Sequence, residues 1–177
     1  MLHYHDIKKD DQNNGDGLRV TLFLSGCAHH CPECQNPQTW DKRSGIPFRE
    51  EEDKEELFNE LSKDYISGIT FSGGDPFFAT NLVEVHNLCV EIKQKFPDKT
   101  IWLYTGYTYE TIMRDYEEGT LPYVRKQIVM NFVDVLVDGE YKKDLRDLQL
   151  KWRGSSNQNV IDVKKSLAEN RIVLHCD

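Results

Sequence analysis

Cys27, Cys31 and Cys34 stand close together in the run Ser25-Gly26-Cys27-Ala28-His29-His30-Cys31-Pro32-Glu33-Cys34-Gln35-Asn36. Three thiolates spaced C-x3-C-x2-C are one ligand short of the four cysteines that usually hold an iron–sulfur cluster. One iron is then left with an open position at which a substrate can bind. The pattern points to a cluster that does chemistry as well as carrying electrons. Zinc accepts the same ligand types, and either His29 or His30 would complete a Cys3His set. The cysteines alone leave that reading open. A disulfide framework fits less well, because the chain has 5 cysteines and no secretory signal peptide is read in it.

A second constellation is Gly73-Gly74-Asp75-Pro76. Paired glycines let a backbone approach a ligand closely, and an adjacent carboxylate can neutralise an ammonium group. The same residues also suit a plain strand-to-helix turn. Taken with the cysteines, they suggest a site for an amino acid that chelates the open iron through its amino nitrogen and carboxylate oxygen. A sulfonium carried on that amino acid would lie against a reducing cluster, where one electron could cleave a carbon–sulfur bond. A β-branched residue at position 74 would then fill space the ligand needs and leave the cluster intact.

The elements that position these groups follow from the apolar pattern. Leu18 to Leu24 reads as a buried strand feeding the cysteine run. Ile69 to Ser72 leads into Gly73, Ile101 to Tyr104 into Thr105-Gly106-Tyr107, and Val133 to Val137 into Asp138-Gly139. Helical spacing is read over Glu50 to Lys63, over 81–96 with Asn81 and Glu84 as a cap, from Thr108 to Glu118 with a stop at Gly119, and from about Pro122. Residues 1–17, 35–51 and 140–160 read as polar and irregular, and Arg171 to Leu174 as a last short strand. Strands alternating with helices predict an α/β fold with a parallel sheet. Four or five strands fall short of a closed eight-stranded barrel. The expectation is an incomplete, open (β/α) barrel with a site at its strand ends, in one domain spanning 1–177.

Composition bounds the function. With 38% hydrophobic and 29% charged residues, the chain suits a globular protein. It lacks the run of ~20 apolar residues needed to cross a bilayer. Its 22 basic and 30 acidic residues give a net charge of −8, which argues against nucleic acid as a partner. The expectation is a cytoplasmic protein with neither nucleic acid nor membrane as partner. Cys89 falls on the apolar stripe of a helix and reads as a structural thiol. Cys176 lies beside the C-terminus, and His3, His5, His86 and His175 show no ligand spacing.

The cysteine run after one strand and Gly-Gly-Asp-Pro after the next resemble the radical S-adenosylmethionine superfamily. Asp16-Gly17-Leu18-Arg19, Cys31-Pro32-Glu33-Cys34-Gln35-Asn36, Trp40, Val137-Asp138-Gly139, Arg153 to Gln158 and Val160 to Val163 further resemble the activating proteins of anaerobic ribonucleoside-triphosphate reductases. The resemblance covers about residues 13–163. It implies a radical-SAM-type barrel in which Cys27, Cys31 and Cys34 hold a 4Fe–4S cluster and S-adenosylmethionine chelates the fourth iron. Reductive cleavage would yield a 5′-deoxyadenosyl radical that makes a glycyl radical on the large subunit of the reductase. No side chain would be catalytic in its own right. The resemblance also implies that Gly73, Gly74 and Asp75 contact the methionyl amino group. It puts Glu33 near the adenine, largely through backbone, and Asn36, Thr105 and Tyr107 around the pocket. A reduced donor such as flavodoxin would supply the electron. Two alternatives stand beside this reading: a radical enzyme acting on a small molecule of the deazapurine-precursor type, and a zinc-binding interaction module. The amides and hydroxyls of Arg153 to Gln158 suit backbone recognition, either of a partner loop or of the protein's own turns.

Overall fold

The computed structural model describes residues 1–114 and 121–176. Within them, seven strands form one open sheet in the order β3-β1-β2-β4-β5-β6-β7. The strands are β1 (His3–Asp11), β2 (Leu18–Leu24), β3 (Ile46–Pro47), β4 (Ile66–Gly73), β5 (Thr100–Tyr104), β6 (Val135–Asp138) and β7 (Asn159–Asp162). The helices are α1 (Glu52–Leu61), α2 (Leu82–Lys95), α3 (Tyr109–Met113), α4 (Leu121–Asn131) and α5 (Val163–Glu169). Among the described residues no helix is long and apolar enough to cross a membrane.

The centre of the sheet matches the alternation read from the sequence. β2, β4, β5 and β6 are parallel neighbours, and their order never reverses. The sheet is not wholly parallel, however. β1 pairs antiparallel with both β2 and β3, and β7 pairs antiparallel with β6. A short link such as 12–17 can join β1 to β2 only as antiparallel neighbours, since a parallel pair needs a long crossover. Residues 1–17 read as polar with a turn cluster and no strand; β1 escapes that reading because its register shifts between Tyr4 and Asp6 and again between Lys8 and Asp11. Its buried residues Tyr4, Ile7 and Asp11 therefore do not alternate.

The two faces of the sheet differ. Val20, Leu22, Leu24, Ile69, Phe71, Ile101, Leu103 and Leu136 join residues from every helix in one apolar cluster, including Leu57, Val85, Ile92, Ile112, Ile128 and Val163. The other face carries Trp102, Val135, Val137 and Val160, packed with Tyr104, Trp152 and Cys176, and beside them buried Arg19, Thr21 and Thr70. Arg19 is satisfied without a carboxylate. It donates to Thr70 Oγ1 at 2.8 Å, Ile69 O at 2.7 Å, and Thr100 Oγ1 and O at 3.0 Å each. Its guanidinium also lies over the Trp102 ring. It bolts β2, β4 and β5 together where a lone charge would be costly.

Three smaller expectations are corrected. Asn81 does not cap α2; its own backbone is helical and its side chain makes no cap hydrogen bond. Residues 171–174 make a single bridge, Ile161 to Leu174, instead of a strand. Residues 140–160, read as irregular, contain the start of β7. The expected helix from Thr108 begins as read, with the Thr108 side chain accepting from the Thr111 amide. It ends sooner than expected, at Met113, with Arg114 already out of helical conformation; the expected stop at Glu118 and Gly119 lies outside the described residues.

Candidate metal centre and substrate cleft

The ends of β2, β4, β5 and β6 carry the site. β2 and β4 finish level, with Leu24 opposite Gly73. The turn after β4 is fastened to the cysteine loop by two backbone bonds, Gly74 N–H to Leu24 O at 2.8 Å and Asp75 N–H to Gly26 O at 2.7 Å. The loop is held from its other side by Gly26 N–H to Thr39 O at 2.7 Å and Cys27 N–H to Trp40 O at 3.1 Å. A cleft of about 350 Å³ opens there, a volume suited to a cofactor-sized ligand. Cys27, Cys31, Cys34, Asn36, Gly73, Gly74, Asp75 and Thr105 all line it. Glu33 and Tyr107 do not.

All three cysteines are half-buried, and each sulfur faces backbone amides. Those of His29 and His30 point to Cys27, that of Tyr141 to Cys31, and that of Asn36 reaches Cys34 Sγ at 3.3 Å. Burial pushes the Cys27 and Cys31 thiols up, and the amides oppose it. Amides aimed at sulfur are among the means by which a protein tunes a bound cluster, so the donor set fits one. Among the described residues no three histidine, cysteine or carboxylate groups are drawn together as the ligands of a single ion. The histidines inside the run are otherwise engaged. His30 stacks on Trp40 with ring centroids 4.6 Å apart, and His29 is held between two carboxylates.

Asp75 is the hub of the cleft. Its carboxylate accepts from the Phe77 amide at 2.7 Å, from Thr105 Oγ1 at 3.0 Å to each oxygen, and from the Gly106 amide at 3.1 Å. Asn81 Nδ2 donates to the carbonyls of Ser25, at 2.8 Å, and Asp75, at 3.0 Å. His29 Nε2 lies 2.9 Å from Asp75 Oδ2, at ion-pair distance but without the alignment of a hydrogen bond. Its Nδ1 is 2.8 Å from Glu140 Oε1. Asp75, and then Glu140, raises the His29 pKa against the effect of burial. Gly106 makes room for this ring, since a Cβ there would come within 2.4 Å of it. One imidazole thus joins the loops that follow β2, β4, β5 and β6.

Gly74 has a packing reason to be glycine beside the one its motif suggested. A Cβ at this position would lie 2.5 Å from Gly26 O. The obstacle to a side chain is the backbone of the cysteine loop, so a substitution disturbs that loop as well as the cleft. Tyr107 serves the site from behind, with the Arg125 guanidinium stacked 4.0 Å from its ring centroid and the edge of His29 against it. Glu33 has a positive φ of 55°, and its side chain turns away to pair with Lys143.

The sequence reading missed several lining residues, among them Asn13, Asn14, Tyr141 and Trp152. The run Arg153 to Gln158 recognises its own turns. Gln158 Oε1 accepts from the amides of Gly154 and Ser155 at 3.0 and 3.1 Å, while its Nε2 donates to Gly139 O at 2.9 Å. Arg153 Nη1 donates to Gln158 O at 2.8 Å. The density of amides and hydroxyls was visible in the sequence; their targets were not. Cys89 is fully buried on α2, where burial raises its thiol pKa strongly.

An open α/β sheet with three cysteines lining a cleft beyond its parallel strand ends is an arrangement that fits a single-cluster iron–sulfur protein. The family described as "4Fe-4S single cluster domain" matches residues 13–161. Proteins called anaerobic ribonucleoside-triphosphate reductase-activating protein are similar over nearly the whole chain. That of Enterobacteria phage T4 is 43% identical over 90% of this chain and 93% of its own. That of Escherichia coli K12 is 38% identical over 90% and 97%, and that of Vibrio cholerae 41% over 89% and 96%. The chain belongs to the family of anaerobic ribonucleoside-triphosphate reductase-activating proteins.

Proposed function

We propose that this protein is an enzyme that activates an anaerobic ribonucleoside-triphosphate reductase by forming a glycyl radical on its large subunit. The observation that carries this reading is the shared cleft, where Cys27, Cys31 and Cys34 face the Gly73-Gly74-Asp75 turn. The three thiols would hold a 4Fe–4S cluster. Such a cluster, when bound and reduced, would supply one electron for cleavage of S-adenosylmethionine to methionine and a 5′-deoxyadenosyl radical, the species that would take a hydrogen atom from a glycine Cα of the reductase.

The protein's own residues bind and orient. The backbone at Gly73 and Gly74 would receive the methionyl amino group. Asp75 fixes the height of that turn through Thr105, Gly106 and Phe77, and its negative charge still favours an ammonium nearby. The amides around the sulfurs favour a more electron-rich cluster. Asn36 and Thr105 would complete the ligand's walls, with the Glu33 backbone beside the adenine and Tyr107 supporting from behind. The uninterrupted order of the parallel strands supports reading the sheet as an incomplete radical-SAM-type barrel. The core cluster shared by every helix supports one domain spanning 1–177. A reduced donor of the flavodoxin type would deliver the electron, and the cysteine chemistry suits a reducing, cytoplasmic setting.

The test is anaerobic reconstitution followed by iron, sulfide and zinc analysis and a dithionite-driven S-adenosylmethionine cleavage assay. Iron and sulfide in cluster proportion, with cleavage, are expected for the wild type and for Cys89→Ala, whereas Cys31→Ala should lose both. Stoichiometric zinc without sulfide, or normal cleavage by Cys31→Ala, contradicts the reading.

A further inference from the structure

The segment after β6 forms the rim of the cleft beside the cysteines. Tyr141, Leu150, Trp152 and Arg153 line the cleft itself, and Lys143 reaches across to pair with Glu33 on the cysteine loop. Between them residues 142–149 are all exposed. Leu148 is 83% exposed and Leu145 41%, yet the loop is fastened at its base. The Ser156 amide donates to Leu145 O at 2.9 Å, the Lys142 amide to Ser155 Oγ at 3.1 Å, and Arg146 bridges to Ser155. Lys142, Lys143, Arg146, Lys151 and Arg153 outnumber Glu140, Asp144 and Asp147 here, in a chain whose net charge is −8. An ordered loop that holds leucines in water, within a basic patch at the mouth of a site, is shaped for contact.

We infer that residues 142–150 are the docking surface for the reductase polypeptide flanking the target glycine, a segment that offers apolar side chains to Leu145 and Leu148 and carboxylates to the surrounding cations. The inference rests on the function proposed above. Two arguments favour this occupant. A small substrate would lie inside the cleft and leave the outward leucines untouched. An electron donor need only come near, because electrons cross gaps, whereas a glycine Cα must reach the radical and bring its flanking chain over the rim. The exposed leucines then become the buried centre of an interface and the cations its polar border.

The experiment measures the glycyl radical signal against reductase concentration, with dithionite as reductant, for the wild type and for two variants, Leu145→Glu/Leu148→Glu and Lys142→Glu/Arg146→Glu. S-adenosylmethionine cleavage without reductase is measured in parallel. The expected result is a rise of at least about 10-fold in the reductase concentration giving half the maximal signal, as for loss of an interface centre, with reductase-free cleavage within about 2-fold of wild type, a margin of under 0.5 kcal/mol. An unchanged half-saturation overturns the inference. So does a defect seen only when a protein donor replaces dithionite, which would assign the loop to the donor, or a loss of reductase-free cleavage, which would assign it to the cluster. Wild-type protein that cleaves S-adenosylmethionine but leaves no radical on the reductase contradicts the activase reading itself, whatever the variants do.

Discussion

Gly74 and Asp75 fasten the turn after β4 to the cysteine loop through their backbone amides. The cysteine motif was legible because its spacing alone fixes three thiols on one loop. The Gly-Gly-Asp turn lines the same cleft as the cysteines, but the contacts that hold it there were not readable from its motif. Residue types at a given spacing do not reveal which donors a carboxylate will meet, and Asp75 meets Thr105 and Gly106 from another strand end. Nor could Gly74 be known to press on Gly26, which lies far from it in sequence. The prediction for Gly74→Ala follows from that contact at 2.5 Å. Relief requires the cysteine loop to move, at a cost of about 1–3 kcal/mol. Reconstituted Gly74→Ala should retain less iron than wild type and bind S-adenosylmethionine at least about 10-fold more weakly. Iron analysis and a ligand titration check this. Full iron content with weakened binding would mean that the glycine merely clears space for the ligand.

At the scale of elements, the four parallel strands were legible from short apolar runs separated by helical spacing. β1 was hidden by its bulges, and β7 by its brevity. The role of Arg19 is not visible in its sequence neighbours, since its partners lie on β4 and β5. The approach to β6 has a comparable anchor in Asp134. Its carboxylate accepts from the Ile101 amide at 2.8 Å and Lys93 at 2.7 Å and pairs with Lys164 at 2.8 Å, joining β5, α2 and α5. Burial pushes this carboxyl up, but Lys164, Lys93 and the amide together hold it below the ordinary carboxylate range. Lys164 is well exposed, so its share is small. Asp134→Ala should cost about 2 kcal/mol at pH 7 in denaturant unfolding, mostly from the orphaned amide and ammonium. A group whose folded pKa is depressed contributes fully above its unfolded pKa, about 3.9, and loses that contribution as pH falls through the folded value. The gap between wild type and Asp134→Asn should therefore be constant at neutral pH and narrow as the pH falls below about 4. A gap that stays constant as the pH falls would contradict the charge-based account.

The whole molecule is an open sheet with one face covered by helices and a cleft at its parallel strand ends. The openness was expected from a count of four or five strands; the sheet has seven among the described residues, and it is open because β3 and β7 stand at its two edges. The cleft's outer rim was not legible, because the segment between β6 and β7 has no periodicity to read and takes its shape from Gln158, Arg153 and Ser155. The central claim is that a radical generated in this cleft passes to a glycine on the reductase. The most direct measurement is anaerobic electron paramagnetic resonance of the reduced, reconstituted protein mixed with S-adenosylmethionine and the large subunit of the cognate reductase. A glycyl doublet should form only when all components are present, and it should vanish when Cys27→Ala replaces the wild type. Cleavage of S-adenosylmethionine with no doublet on the reductase would contradict the claim.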